Sequence, residues 1–433
     1  MRYEEAMAYV YGLQRVGVKL GLERTQELLR RLGNPERKCG RIVHVTGTSG
    51  KGSVSAMVEA GLRAAGQKVG LYTSPSLERF TERFQVNRQD IAPDELADLI
   101  TELRGHVEQM AAEGGEPVTE FEFTTALGFL HFARQRVDWL VLEVGVGGRY
   151  DATNVVGNTA VACITNIGLD HVEWLGDTEE KIAWEKAGII KPAVPCVTGT
   201  EHPGALQVIR EVALANDAVL TEVTSEDYRV VSYGPEGQVV DLYGARGWYE
   251  GVRLPLLGNH QAANAAVALR VLELCGVGEE AVRQGLGAVT WPGRLEVLAL
   301  PGGPMVLLDA AHNPPKCEAL AAAVRQYFPG RPVRLVLGAL ADKDVAAMAR
   351  PLVEMAEQVW VTTPESPRKL PAADLAEVCR RFGRDAVVEP SIGAAVGLAL
   401  EGARPGDLVL VTGSFYTVGP ARQFVHARIG QEA

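Results

Sequence analysis

Beyond residue 40 the chain alternates short apolar, β-branched runs with longer stretches whose apolar residues recur every three or four positions. The runs at 42–46, 68–73, 137–144, 160–167 and 194–198 read as strands. The run VDWLVLEV is apolar almost throughout, as expected of a strand covered on both faces. Helical periodicity marks 93–112, 120–136, 177–190, 259–275 and 279–288, and residues 1–40 look helical and amphipathic. The stretch 226–257 differs: YRVVSY, QVVDLY and WYEGVRL alternate with period two, which predicts a small antiparallel excursion. A turn follows at Trp291-Pro292-Gly293-Arg294. After it come five further strands (MVLLDAA, VRLVLGAL, QVWVTT, AVVEPS, DLVLVTGS), with helices over 316–327, 344–357 and 372–381. The pattern predicts an α/β fold. A mostly parallel sheet domain with a phosphate loop spans 1–295, and a smaller Rossmann-like α/β domain spans 296–433.

The chain has 433 residues, which suits two cores better than one. With 47% hydrophobic and 22% charged residues it has the composition of a soluble globular protein. No apolar run approaches the roughly 20 residues of a membrane helix. The N-terminus MRYEEAMAYV lacks the features of a signal peptide, so the expected location is the cytoplasm. Six cysteines lie scattered with no C-x-x-C pair, which implies reduced thiols. A net charge of −11 argues against coating nucleic acid but permits a local basic pocket for an anionic small molecule. The expected partners are small molecules, with no nucleic acid and no membrane, and the expected state is a monomer.

The most specific segment is HVTGTSGKGS at 44–53, with an apolar strand before it and a helical pattern after it. Such a loop wraps backbone N–H groups around a polyphosphate, with a lysine reaching the terminal phosphates. Gly47, Thr48, Gly50, Lys51, Gly52 and Ser53 are the candidate ATP contacts. The match to G-x-x-x-x-G-K-[ST] is incomplete: Val45 stands where the first glycine belongs, and Gly52 where the hydroxyl belongs. A second segment, VLEVGVGGRYDATNVV, places Glu143 at the end of a buried strand, where ligand crevices of parallel sheets form. A carboxylate there suits Mg²⁺, which takes hard oxygen ligands. A third, TNIGLDHVEWLG, brings His171 to the end of another strand.

Together these segments resemble the folylpolyglutamate synthase/dihydrofolate synthase branch of the Mur ligase superfamily. The diagnostic points are the extra Gly52 after Lys51 and the run Glu143, Gly145, Gly147-Gly148 leading into Asp151-Ala152-Thr153-Asn154. The resemblance extends nearly to SFYTVG at 414–419. Small departures are Ser49, where many relatives carry Asn, and Ser76, where many carry His. The resemblance implies an ATP-dependent ligase that phosphorylates a folate or pteroate carboxylate and then joins L-glutamate to it. It implies that Ser74, Glu143 and His171 hold magnesium, and that Lys186 is carbamylated to orient a second ion. It implies that Asn264 lies on the adenine side of ATP, that Arg294 meets the γ-phosphate, that Asp309 binds nucleotide, and that His312 faces the transferred phosphoryl group. These would form one site assembled as two domains close. Leu20, Gly21, Leu22, Phe121, Glu122, Tyr150, Asp151 and Ala152 would lie on the pterin side. Ser414 would lie near the incoming glutamate, with 342–344 nearby.

Two other readings stay open on the residues. A peptidoglycan-precursor ligase of the same superfamily would use the same loop, although Gly52 and GGRYDATN speak against it. A nucleotide-gated binding protein would use Lys51 and the metal residues, but would leave Arg294, Asp309 and His312 without a task.

Overall fold

The computed structural model describes residues 1–17 and 21–432, and Leu20 therefore lies outside the described residues. The chain forms two compact units. The first comprises residues 1–231, 240–254 and 259–289; the second comprises 232–239, 255–258 and 290–433.

The first unit is organised by an eight-stranded sheet. Its strands are β1 (Arg41–Thr46), β2 (Val69–Tyr72), β3 (Phe84–Val86), β4 (Gln89–Asp90), β5 (Trp139–Glu143), β6 (Thr159–Ile164), β7 (Cys196–Thr198) and β8 (Leu220–Glu222). Their spatial order is β4-β3-β2-β5-β1-β6-β7-β8. From β2 to β8 every neighbouring pair is parallel, and only the β2–β3 and β3–β4 pairs are antiparallel. The expected mostly parallel sheet is therefore present. Its inner strands β1, β5 and β6 are buried nearly along their length because helices cover both faces. On one side Phe123, Phe129 and Phe132 of the helix Glu120–Gln135 pack with Phe84, Leu140 and Leu142. Further along the same face, Ala183 and Ile209 pack with Ala162 and Ile164. Each such buried large side chain contributes about 1.5–3 kcal/mol.

The three period-two runs form a small sheet of β9 (Tyr228–Gly234), β10 (Gly237–Gly244) and β11 (Gly247–Leu254), in the order β11-β10-β9. The second unit carries a six-stranded sheet built from β12 (Glu296–Ala299), β13 (Met305–Asp309), β14 (Val333–Leu337), β15 (Gln358–Val361), β16 (Ala386–Val388) and β17 (Leu408–Thr412), ordered β12-β13-β17-β14-β15-β16. All pairs are parallel except the β12 edge.

Some elements depart from the sequence pattern. The strand expected over 160–167 stops at Ile164, because the next residues turn to hold the phosphate loop. The helix expected over 177–190 is Glu179–Ala187, preceded by a separate turn of helix at Val172–Leu175. The structure adds helices at Pro203–Ala215 and Phe415–Glu432; the second contains Pro420, a residue that reads as a helix breaker.

Two helices of the first unit meet without side chains between them. A Cβ on Gly285, in the helix Glu279–Gly287, would fall against the backbone of Ala60 and Gly61 in the helix Lys51–Ala64. Backbone cannot retreat as a side-chain tip can. Gly285→Val should therefore destabilise the first unit by about 3 kcal/mol. A urea melt with an unchanged midpoint would show that these helices do not pack this closely.

Candidate active site

The parallel sheet brings the carboxyl ends of β1, β5 and β6 side by side. Val45 registers with Glu143, and Thr46 with Ile164. The phosphate loop leaves β1 at Gly47, and its helix begins at Lys51, with Gly50 as the preceding cap at φ +81°. A side chain at Gly50 would also strike the Asn264 amide, so both conformation and space demand glycine there.

The loop is held by the segment after β6. Asn166 accepts from two loop amides, Thr48 N through its carbonyl (3.0 Å) and Ser49 N through Oδ1 (2.8 Å). Thr165 Oγ1 donates to the Ser49 carbonyl at 2.6 Å. Thr48 Oγ1 donates to the Gly168 carbonyl at 3.0 Å and accepts from Gly168 N at 3.1 Å. Ser53, one position beyond the usual metal-binding hydroxyl, is buried and its Oγ accepts from Gln261 Nε2 at 3.1 Å. Asn264 Nδ2 in turn donates to Gln261 Oε1 at 3.0 Å. Asn264 thus stands beside the loop as expected, linked to Ser53 through Gln261. Nothing in residue type alone marks Gln261, Thr165 or Asn166 as clamps.

Two lysines converge on one carbonyl. Lys51 Nζ donates to Gly47 O at 3.0 Å, and Lys186 Nζ donates to the same oxygen at 2.9 Å. Lys186 is buried, 3% exposed. Burial first, and then the neighbouring Lys51 charge, lower its pKa from 10.5 to about 7, against the opposing pull of Asp170, Asp151 and Glu185.

Glu143 is buried at the end of β5, and its Oε2 accepts from the Ser74 backbone N–H at 3.1 Å, so two of the three expected metal residues adjoin. His171 lies on left-handed backbone (φ 49°), half exposed, with Nε2 3.8 Å from Asp170 Oδ2. Among the described residues no group of three His, Cys, Asp or Glu could hold a metal ion. The donor set of hydroxyl, carboxylate and imidazole fits an ion that takes few protein ligands and draws the rest from phosphate and water.

The residues expected on the pterin side divide. Tyr150 is exposed, and Phe121 lies against Gly145. Ala152 is buried. Asp151 is buried, and its carboxylate is committed to Val146 N (3.0 Å), Thr153 N (3.0 Å) and Thr153 Oγ1 (2.6 Å). Burial nonetheless raises its pKa. Thr153 Oγ1 spends its proton on Asp151, so it accepts from His44 Nε2 at 2.9 Å. His44 is wholly buried, and desolvation pushes its pKa down to about 3, so the relay uses the neutral ring. Glu122 is likewise engaged, by Arg24 at 2.9 Å and by the Thr119 amide at 2.8 Å in a capping box. Gly21 and Leu22 immediately precede the helix Glu23–Arg31.

In the second unit Asp309, at the end of β13, accepts from Leu295 N and Ala311 N, each at 2.9 Å. Desolvation raises its pKa, with Arg294 opposing. Arg294 lies over the Phe415 ring at 4.8 Å, and the His312 ring lies 5.5 Å from the same ring. Ser414 is buried and caps the helix Phe415–Glu432, its Oγ accepting from Thr417 N at 3.1 Å.

A nucleotide loop on a parallel sheet, with an acidic strand end and a buried lysine of lowered pKa beside it, fits an ATP-dependent ligase of the Mur type. Two family models agree: the Mur ligase middle domain matches residues 45–272, and the Mur ligase glutamate ligase domain matches 293–415. The chain is 37% identical over 432 residues to dihydrofolate synthase/folylpolyglutamate synthase of Bacillus subtilis, covering 97% of this chain and 98% of that one. The crystal structure of folylpolyglutamate synthase from Thermotoga maritima superposes with a TM-score of 0.89 at 36% identity, covering 98% and 96%. A Mycobacterium tuberculosis folylpolyglutamate synthase complexed with ADP and AMPPCP gives a TM-score of 0.86 at 34% identity, covering 97% and 98%. The chain belongs to the folylpolyglutamate synthase/dihydrofolate synthase family, ATP-dependent ligases that add L-glutamate to a folate carboxylate.

The state of Lys186 has a measurable sign. Between about pH 7 and 10.5 the unfolded chain binds a proton that the folded lysine does not, so stability contributed by this group rises with pH across that window. Below it both forms are protonated and the cost of burying the charge is complete. Lys186→Met removes that cost. Its gain in urea midpoint over the wild type, in CO₂-free buffer, should be larger near pH 6 than near pH 9. An equal gain at both would mean that Lys186 titrates as an ordinary lysine.

Proposed function

We propose that this enzyme carries both family activities, adding the first glutamate to dihydropteroate and further glutamates to tetrahydrofolate. The substrate carboxylate attacks the γ-phosphorus of ATP; its oxygen–phosphorus bond forms as the bond to ADP breaks. The glutamate amine then attacks the acyl carbon, and phosphate leaves with loss of a proton from nitrogen. A carboxylate is a poor electrophile, so phosphorylation comes first. Lys51 neutralises charge developing on the transferred group, with Gly47, Thr48, Gly50, Gly52 and Ser53 shaping the loop around the phosphates. Arg294 and Asp309 bind nucleotide, and His312 faces the phosphoryl group.

Ser74, Glu143 and His171 would hold magnesium, which supplies charge neutralisation at the phosphates. Tyr150, Asp151 and Ala152, with Gly21, Leu22, Phe121 and Glu122, form the pterin side, Asp151 and Glu122 by bracing backbone. The same reading takes the enzyme as a cytoplasmic monomer acting on small molecules.

Lys186 reacts as the neutral amine with CO₂: a nitrogen–carbon bond forms and a proton leaves, giving a carbamate. The observation that carries the ligase reading over a plain nucleotide switch is the meeting of Lys51 and Lys186 at Gly47 O. A switch needs the first lysine only. A carbamate keeps one N–H on Nζ for that carbonyl and replaces like-charge opposition to Lys51 with attraction.

Incubation with MgATP, L-glutamate and each pterin separately should add one glutamate mass to dihydropteroate and one or more to tetrahydrofolate. A gain on tetrahydrofolate alone would remove the synthase half of the proposal. Lys51→Ala should lower phosphate release by at least about a hundredfold while leaving the thermal melt unchanged. Turnover near the wild-type rate would overturn the role given to the loop. With ¹³C-bicarbonate the wild type should show a carbamate resonance that weakens below about pH 7, where the amine protonates, and is absent in Lys186→Met. A resonance that survives the substitution would place the modification elsewhere.

A further inference from the structure

Lys186 reaches Gly47 O from the last turn of the helix Glu179–Ala187, so the placement of that turn decides where its Nζ lies. The last four carbonyls of a helix lack intrahelical donors and carry partial negative charge. Two of them are served here by one residue outside the helix. Arg149 N donates to the Glu185 carbonyl at 2.8 Å, and Arg149 Nη2 donates to the Trp184 carbonyl at 3.1 Å. The same guanidinium lies 3.8 Å from the centre of the Trp184 ring. A guanidinium suits both contacts, because it keeps its charge, stacks by its face and donates from its edge.

The backbone around Arg149 is closed against movement. A Cβ on Gly148 would lie 2.9 Å from the Glu185 and Lys186 carbonyl oxygens, and one on Gly188 would strike Arg149 Cβ. Asn154 Nδ2 donates to the Arg149 carbonyl at 3.0 Å and to the Gly188 carbonyl at 3.1 Å, which ties the end of the turn to the end of the helix. Thr46 Oγ1 donates to the Gly147 carbonyl at 2.6 Å, which ties the start of the turn to β1 just before Gly47. The turn therefore stands between the carbonyl that receives Lys186 and the helix that delivers it, and Arg149 is where turn and helix are fastened.

We propose that Arg149 is a positioning residue for Lys186, holding the last helical turn so that Nζ meets the carbonyl of the phosphate loop. The proposal rests on the reading of Lys186 as a carbamylated lysine. A carbamate on Nζ gains from Lys51 and from Gly47 O only within reach of both. A helix end that slides away from the turn loses that gain, and more CO₂ is then needed to fill the same fraction of sites. Tyr150 and Asp151 follow Arg149 directly, so the turn given to the pterin and the helix given to the lysine share one fastening.

The test uses the full chain with Arg149→Met, Arg149→Lys and Lys186→Met. The ¹³C-bicarbonate concentration that gives half the maximal carbamate resonance is measured, with kcat and KM for ATP across the same range. Methionine keeps an apolar stem beside Trp184 and loses the charge and the Nη2 donor. A lost charge-assisted hydrogen bond corresponds to about a tenfold change in an equilibrium constant. Arg149→Met should therefore need about tenfold more bicarbonate for half-maximal carbamate and lose kcat by about that factor at low bicarbonate. KM for ATP should stay within about twofold, and saturating bicarbonate should recover most of kcat. Arg149→Lys, which keeps the charge without the flat fork, should fall between Arg149→Met and the wild type. A residue that only stabilises the fold would lower the melt with no defect that bicarbonate repairs. Carbamate formation and kcat within about twofold of wild type in Arg149→Met would overturn the proposal. If the wild type shows no carbamate resonance, the carbamate reading falls, and Arg149 is judged by a double-mutant cycle in CO₂-free buffer. Urea stabilities of Arg149→Met, Lys186→Met and the double variant that depart from additivity would keep Arg149 as the positioning residue of the unmodified lysine. Additive effects would overturn that role as well.

Discussion

The first unit's site depends on one carbonyl. Gly47 O accepts from two lysine amino groups, Lys51 and Lys186. Two full positive charges on one oxygen, with one of them buried, is not a stable arrangement. Burial first, and then the neighbouring Lys51 charge, lower the pKa of Lys186 from 10.5 to about 7. Lys51 is half-buried at the start of the loop helix, whereas Lys186 is sealed behind the loop. One geometric coincidence thus places two like side chains in different surroundings.

That coincidence needs the phosphate loop to be immobile. A glycine-rich loop has little of its own to fix it, and here the fixing comes from the adjacent strand end. Thr165, Asn166 and Gly168 each bond to Thr48 or Ser49. Parallel pairing of β1 with β6 is what brings these residues alongside. On the far side of β1, register with β5 sets Glu143 level with Val45. The loop, the acidic strand end and the clamp are therefore consequences of strand order, and the helices on both faces serve to keep that order dry.

Much of this was legible in residue patterns. Apolar runs marked the inner strands because burial on both faces leaves no polar alternation. The loop was legible because close approach of backbone demands glycine. Side-chain direction was not. Asp151, Glu122 and Ser414 sit in motifs that suggest contact with ligand, yet each is buried and spends its oxygens on nearby backbone, Thr153 or Arg24. A motif specifies which group stands at a position; whether it points to the ligand or braces the turn behind it depends on the packing of neighbouring segments. The hydroxyl of Ser53 is the same case: its partner Gln261 lies 208 residues away. Protonation was also hidden. Nothing about His312 in sequence reveals that Ala310 and Lys316 occupy both ring nitrogens.

The side of β1 that bears His44 and Thr46 connects these themes. In a strand, residues two apart share a face. Thr46 Oγ1 donates to the Gly147 carbonyl at 2.6 Å, and His44 donates to Thr153 Oγ1 at 2.9 Å. The two contacts bracket the turn that carries Tyr150 and Asp151. The strand that feeds the phosphate loop is therefore also the strand that anchors the turn beside it. Because His44 is neutral and sealed from water, this anchor does not respond to pH in the range where Lys186 titrates. A site that changes the charge of one lysine can keep its frame only if the groups holding the frame do not titrate with it. The His44–Thr153–Asp151 relay meets that condition at its histidine end by burial alone.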